Sequence, residues 1–123
     1  MSERMMDSKH LLALLFAGLN QKNLDELSDE LADDAVFLFP KTAPLVGKKK
    51  ILSFMKVLIR RYPNLIFTLG RMTGDETLGA VEWTNHGNAK NGEPYENAGV
   101  TFLEVRDGKI AYISDTFKDT DKF

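Results

Sequence analysis

Two tight-turn signals, Asn91-Gly92 and Asp107-Gly108, separate three strand-like runs at 79–89, 93–105 and 109–117. Asn-Gly and Asp-Gly both favour two-residue hairpins, because both central residues of such turns need positive φ. Three strands joined in this way form an antiparallel meander. Taking both turns as two-residue loops fixes the register: Lys90 faces Glu93, His86 faces Asn97, Trp83 faces Val100, Arg106 faces Lys109 and Val100 faces Asp115. Successive side chains alternate between the faces of a strand. One face should then carry Val81, Trp83, Asn85, Ala98, Val100, Phe102, Ile113, Asp115 and Phe117. The other should carry Glu82, Thr84, His86, Asn97, Gly99, Thr101, Tyr112, Ser114 and Thr116. The first set is apolar except for Asn85 and Asp115. A carboxyl group on such a surface is the main functional lead.

The preceding chain reads as mostly helical. Apolar residues at 11, 12, 15, 16 and 19 follow the helical period after Ser8, which is suited to cap the helix. A second helix starts at Asn23, with Glu26 three residues on in a capping-box arrangement and Leu24, Leu27 and Leu31 as its buried stripe. The run 35–40 has strand character and ends at Pro40. Gly47 precedes a third helix carrying Ile51, Met55, Leu58 and Tyr62 on one side, and Pro63 stops it. From Leu65 the chain reads as strands, with a turn at 73–77. Helices followed by strands in this order define an α+β domain. The expected form is a cone-shaped roll: three N-terminal helices packed on a strongly curved, mostly antiparallel sheet, with the 123 residues as one domain.

Composition narrows the function classes. The net charge is -2 and no basic stripe accompanies the aromatics, which argues against a nucleic-acid partner. With no cysteine and two histidines far apart, neither a thiolate site nor a plausible histidine ligand set is available, so no metal or cofactor is expected. The charged segment 1–7 carries no signal-peptide pattern and no membrane-length apolar run follows. A cytoplasmic protein without membrane contact is the resulting expectation.

The element order and the segment from Val81 to Phe117 resemble the SnoaL-like branch of the nuclear transport factor 2-like (ketosteroid isomerase-like) superfamily. The residues carrying the likeness are Trp83, Gly87, Gly92, Tyr95, Asn97, Asp107, Gly108, Lys109, Ile110, Asp115 and Phe117. The resemblance covers nearly the whole chain and implies a cone with a pocket. It does not specify a reaction, because one fold hosts many. The chain departs from the family's frequent D-Y-F-D ending with Asp115-Thr116-Phe117-Lys118. No arginine lies near Asp115 in the expected meander, against an Asp-Arg-Asp epoxide hydrolase arrangement.

Within that pocket Asp115 is the expected catalytic acid or base, its ionisation shifted by apolar walls. Ketosteroid isomerase uses carboxyl groups in such a setting. Trp83, Asn85, Phe102, Phe16 and Met55 are the expected ligand-contacting residues, with Asp115 a candidate partner for the Trp83 indole. His86 belongs to the opposite face unless a bulge near Gly87 reverses it. The expected ligand is a small hydrophobic molecule bearing a carbonyl or hydroxyl group, converted by proton transfer in an isomerase, cyclase or dehydratase reaction. The alternative is a non-catalytic ligand-binding or protein-interaction module. The threonine-rich second face, together with the resemblance, implies a homodimer.

Overall fold

The structure is a computed structural model that describes residues 7–121. Three helices, α1 (Ser8–Gln21), α2 (Asp25–Glu30) and α3 (Lys48–Arg61), pack against one sheet. Its strands are β1 (Leu31–Leu38), β2 (Leu45–Val46), β3 (Ile66–Gly74), β4 (Leu78–Asn88), β5 (Pro94–Arg106) and β6 (Lys109–Phe117). The six strands lie in the order β2-β1-β6-β5-β4-β3, all antiparallel except β1 with β6. This is the curved α+β cone expected from the element order.

Helix α1 buries Leu11, Leu12, Leu15 and Phe16, the stripe read from the sequence. Its cap differs from expectation. Asp7, not Ser8, accepts the His10 N–H. Ser8 lies inside the helix, fully buried, and its hydroxyl donates to the Asp75 carbonyl at 2.6 Å. At the far end of α1, Asn20 pairs with both backbone groups of Phe67, at 3.0 and 2.8 Å, and so ties the helix to the edge strand β3. Helix α2 is shorter than expected. The Asn23 side chain accepts from Asp25 N at 3.0 Å, but Leu31 already belongs to β1. Strand β1 therefore begins four residues before the β-rich run at 35. Acidic Asp33 and Asp34 within it lie exposed, and that hides the strand from a hydropathy reading.

The meander holds the main correction. The first hairpin closes with Ala89 N–H donating to the Glu93 carbonyl and Gly92 N–H to the Ala89 carbonyl. The loop is therefore three residues, Lys90-Asn91-Gly92, with Gly92 at φ 89°. This is the other common way to place a positive-φ glycine in a hairpin. The pairing slips by one residue relative to the two-residue loop: Asn85 faces Asn97 and Trp83 faces Gly99. A one-residue slip turns a strand over. Tyr95, Asn97, Gly99, Thr101 and Leu103 consequently face the helices, while Val100 and Phe102 face outward. Phe102 is 47% exposed, so its expected place in the pocket wall is incorrect.

The second hairpin has the expected two-residue Asp107-Gly108 turn, since Arg106 pairs with Lys109. Two residues on, β6 advances past β5 by an extra position: Val105 pairs with Ile110 but Glu104 pairs with Tyr112. This bulge at Ala111 slips the register by one again, so Asp115 faces Thr101 rather than Val100. Two slips restore the parity between β4 and β6. Trp83 and Asn85 thus share the inner face with Ile113, Asp115 and Phe117 as expected, although the strand between them is inverted.

Candidate functional site: a carboxyl group in an aromatic cavity

Between the inner face of the sheet, α1 and α3 lies a cavity of about 60 Å³. Its wall is built by ring contacts that run around the cone: Phe16 with Phe67 at 5.2 Å, Phe67 with Trp83 at 5.2 Å and Trp83 with Phe117 at 6.0 Å. Phe117 then meets Phe39 at 5.3 Å, and Tyr62 at the end of α3 packs on Tyr95 of β5 at 4.6 Å. Tilted and edge-on contacts at these separations favour aromatic pairs beyond the area they bury.

Of the six residues singled out from the sequence, Phe16, Met55, Trp83, Asn85 and Asp115 line this cavity. Phe102 does not, because β5 is inverted. His86 is exposed on the outer face, where the alternation put it. Lys22, Tyr62 and Tyr95 also line the cavity and were not singled out as contacts, nor was Thr101, which is off the lining but bonded to Asp115. Lys22 reaches it from the turn after α1, its Nζ donating to the Leu65 carbonyl at 2.7 Å, and burial lowers its pKa. Tyr95 accepts a hydrogen bond from Asn97 Nδ2 at 2.9 Å. Thr101, fully buried, touches Asp115 directly. Tyr95 and Thr101 were hidden by the wrong parity of β5, and a three-residue reading of Lys90-Asn91-Gly92 would have placed both.

The Asp115 carboxyl group has one hydrogen bond among the described residues: the Thr101 hydroxyl donates to its Oδ1 at 2.6 Å. Trp83 Nε1 in turn donates to Thr101 Oγ1 at 2.9 Å, so the indole reaches the carboxyl group through Thr101 rather than directly. Burial raises the pKa of Asp115 to about 7, and the Thr101 hydroxyl partly offsets the rise. Desolvation disfavours the charged carboxylate and a donor to its oxygen favours it; here the first is the larger.

Asn85, 6% exposed, points a second polar atom at the cavity wall. Its Oδ1 is buried without a hydrogen-bond partner among the described residues. Leaving such an acceptor unpaired costs about 1–3 kcal/mol, which a donor on a ligand would recover. The described residues contain no group of three or more side chains suited to hold a metal ion. Among the described residues, no arginine lines the cavity.

The SnoaL-like domain matches residues 12–113. The chain belongs to the SnoaL-like family. Among solved structures, an NTF2-like protein from Anabaena variabilis ATCC 29413 superposes with a TM-score of 0.82 at 23% identity, covering 99% of this chain and 98% of that one. A candidate SnoaL-like polyketide cyclase from Jannaschia sp. CCS1 gives 0.79 at 14% identity, with 96% and 91% covered. An LEH-like epoxide hydrolase of M. tuberculosis gives 0.76 at 17% identity, with 89% and 80% covered. At these identities the likeness is one of fold. Comparison with curated proteins finds no significant match.

Proposed function

We propose that this SnoaL-like protein binds a small hydrophobic molecule bearing a carbonyl or hydroxyl group, and that Asp115 transfers a proton beside that group. The observation carrying the reading is a carboxyl group lining an apolar cavity, where burial raises its pKa to about 7. A group poised there exchanges protons in both directions near neutral pH, which general acid–base catalysis requires. As a carboxylate, Asp115 removes a proton from the carbon next to a carbonyl. The bond electrons move into the enolate, and the proton is returned at another carbon (isomerisation) or to a departing hydroxyl (dehydration). The unpaired Asn85 Oδ1 accepts a hydrogen bond from a hydroxyl on the ligand. Trp83, Phe16 and Met55 supply apolar contact. The volume selects a small molecule, or one end of a larger one.

The reaction class can be tested without the natural substrate. A panel of small linear and cyclic ketones, incubated with the protein in D2O, is followed by proton NMR for deuterium entering next to the carbonyl. Exchange that depends on the protein and is lost in Asp115→Asn is the expected result. Binding without exchange across the panel, seen as a shift of the Trp83 indole resonance, would favour a non-catalytic module instead.

A second reading concerns assembly. The outer face carries exposed Ile66, Leu78 and Phe102 among Thr68, Thr84 and Thr116. Leu78 and Phe102 lie close together at one end of β4, with Ile66 at the other end beside His86, so the face carries apolar groups at both ends. That supports a homodimer formed through the outer face, with the cavity on the side away from the partner.

A further inference from the structure

The contact between Trp83, Thr101 and Asp115 has a direction. An indole N–H can only donate, whereas a hydroxyl has one proton to give and two lone pairs to accept with. Trp83 Nε1 donates to Thr101 Oγ1 at 2.9 Å, which occupies one lone pair. The Thr101 proton then has one acceptor within reach among the described residues, Asp115 Oδ1 at 2.6 Å. The first link is buried, with Thr101 inaccessible and Trp83 5% exposed, and the second is partly buried, since Asp115 is half-buried at the cavity. Oδ2 makes no hydrogen bond to the described residues, and Asp115 borders the cavity.

The close approach of the three strands is built into the backbone. Trp83 lies opposite Gly99, and a Cβ at that position would come within 2.8 Å of Trp83 Cζ2 and 2.7 Å of Phe117 Cβ. The missing side chain at Gly99 lets the indole lie over β5, with its N–H within reach of Thr101 two residues on. Other titratable groups on the cavity are Lys22, Tyr62 and Tyr95, yet burial and the Thr101 hydroxyl are the influences that set the Asp115 ionisation.

We propose that Trp83 and Thr101 are positioning residues for Asp115: the indole orients the Thr101 hydroxyl, which holds Oδ1 and leaves Oδ2 as the oxygen that meets the ligand. The inference deepens the role given above to Asp115 and rests on it for function, but the relay is a property of the ligand-free protein. It assigns Trp83 a second task besides wall-building. It also gives a role to the buried Thr101, whose inward neighbours toward the end of the strand, Leu103 and Val105, are apolar.

The test is the titration of Asp115, followed by carboxyl carbon NMR in the wild type and in Thr101→Val, Thr101→Ser and Trp83→Phe. A hydrogen bond to a charged group corresponds to about one to two pH units in the midpoint. Thr101→Val, close in shape but without the donor, should move the midpoint upward by that amount. Thr101→Ser, which keeps the hydroxyl, should stay near the wild type. In a Trp83→Phe background the effect of Thr101→Val should shrink, because the hydroxyl is no longer oriented. An unchanged midpoint in Thr101→Val overturns the proposal, and an undiminished effect in the Trp83→Phe background overturns the part given to Trp83. Should Thr101→Val fail to fold, Thr101→Ala is read in the same way. Failure of the relay leaves the deuterium-exchange result untouched, and absence of exchange leaves these midpoints unchanged, so the two ideas fail separately.

Discussion

Asp115 pits burial against charge, and the outcome has a measurable sign. The folded group keeps its proton up to a pKa of about 7, while in the unfolded chain it loses it near the ordinary 3.8. Between those values the folded state binds more protons than the unfolded one, so this group's contribution to stability falls as pH rises through the window and levels off above it. Replacing Asp115 with Asn removes the ionisable group but keeps an oxygen for the Thr101 hydroxyl. The variant should match the wild type near pH 4 and exceed it in stability at pH 8, by at most about 4 kcal/mol. Urea unfolding at the two pH values measures the difference; equal stability at both would contradict a buried, proton-holding carboxyl group. At Asn85 the expectation runs the other way. Asn85→Leu removes an acceptor that has no partner in the ligand-free protein, so it should cost little stability while weakening binding of hydroxyl-bearing ligands. Isothermal titration with such a ligand compares the two proteins.

At the scale of elements, β5 teaches the most about what a sequence makes legible. The helices were readable from apolar spacing at Leu11, Leu12, Leu15, Ile51 and Met55, because a helix has one period and one buried stripe. A strand's faces depend on parity, and parity depends on the length of a loop. Lys90-Asn91-Gly92 closes as three residues because the strand twist is satisfied equally well by a positive-φ Gly92 at the end of a type I turn, a choice the dipeptide alone does not reveal. The bulge at Ala111 leaves no local signature at all: Ile110 and Ala111 are simply two adjacent buried residues. Asp115, Trp83 and Asn85 were placed on the right face because the two shifts cancel, and Thr101 was misplaced because it lies between them. Two glycines should report on this arrangement. Gly92→Ala forces a side chain into the left-handed region and should cost about 1–2 kcal/mol. Gly99→Ala should cost about 1–3 kcal/mol by overpacking, because its new Cβ would overlap the Thr116 carbonyl as well as Phe117 and Trp83. Thermal unfolding gives both values, and Trp83 fluorescence should change only for Gly99→Ala.

For the molecule as a whole, the proposed homodimer through the outer sheet face is open to a direct test. A dimer through that face buries Phe102, so Phe102→Asp should convert a dimeric mass to a monomeric one in light scattering at micromolar concentration. A wild-type monomer under those conditions would refute the dimer. No helix among the described residues is long and apolar enough to cross a membrane.

The sheet order has another consequence. Strand β6 sits between β1 and β5, yet a ribosome makes it after both. Its parallel pairing with β1 joins Phe37 to Ile113 and Leu38 to Ser114, positions separated by most of the chain. Such distant contacts are slow to form, because the intervening chain must be closed before they return any stability. Until β6 emerges, β1 has only the two-residue β2 beside it, the cone has no middle, and the cavity has neither its acid nor Phe117. The site is therefore completed only once β6 has been made, and a nascent chain stopped before Lys109 should expose the inner face of β5 to chaperones rather than hold a partial fold.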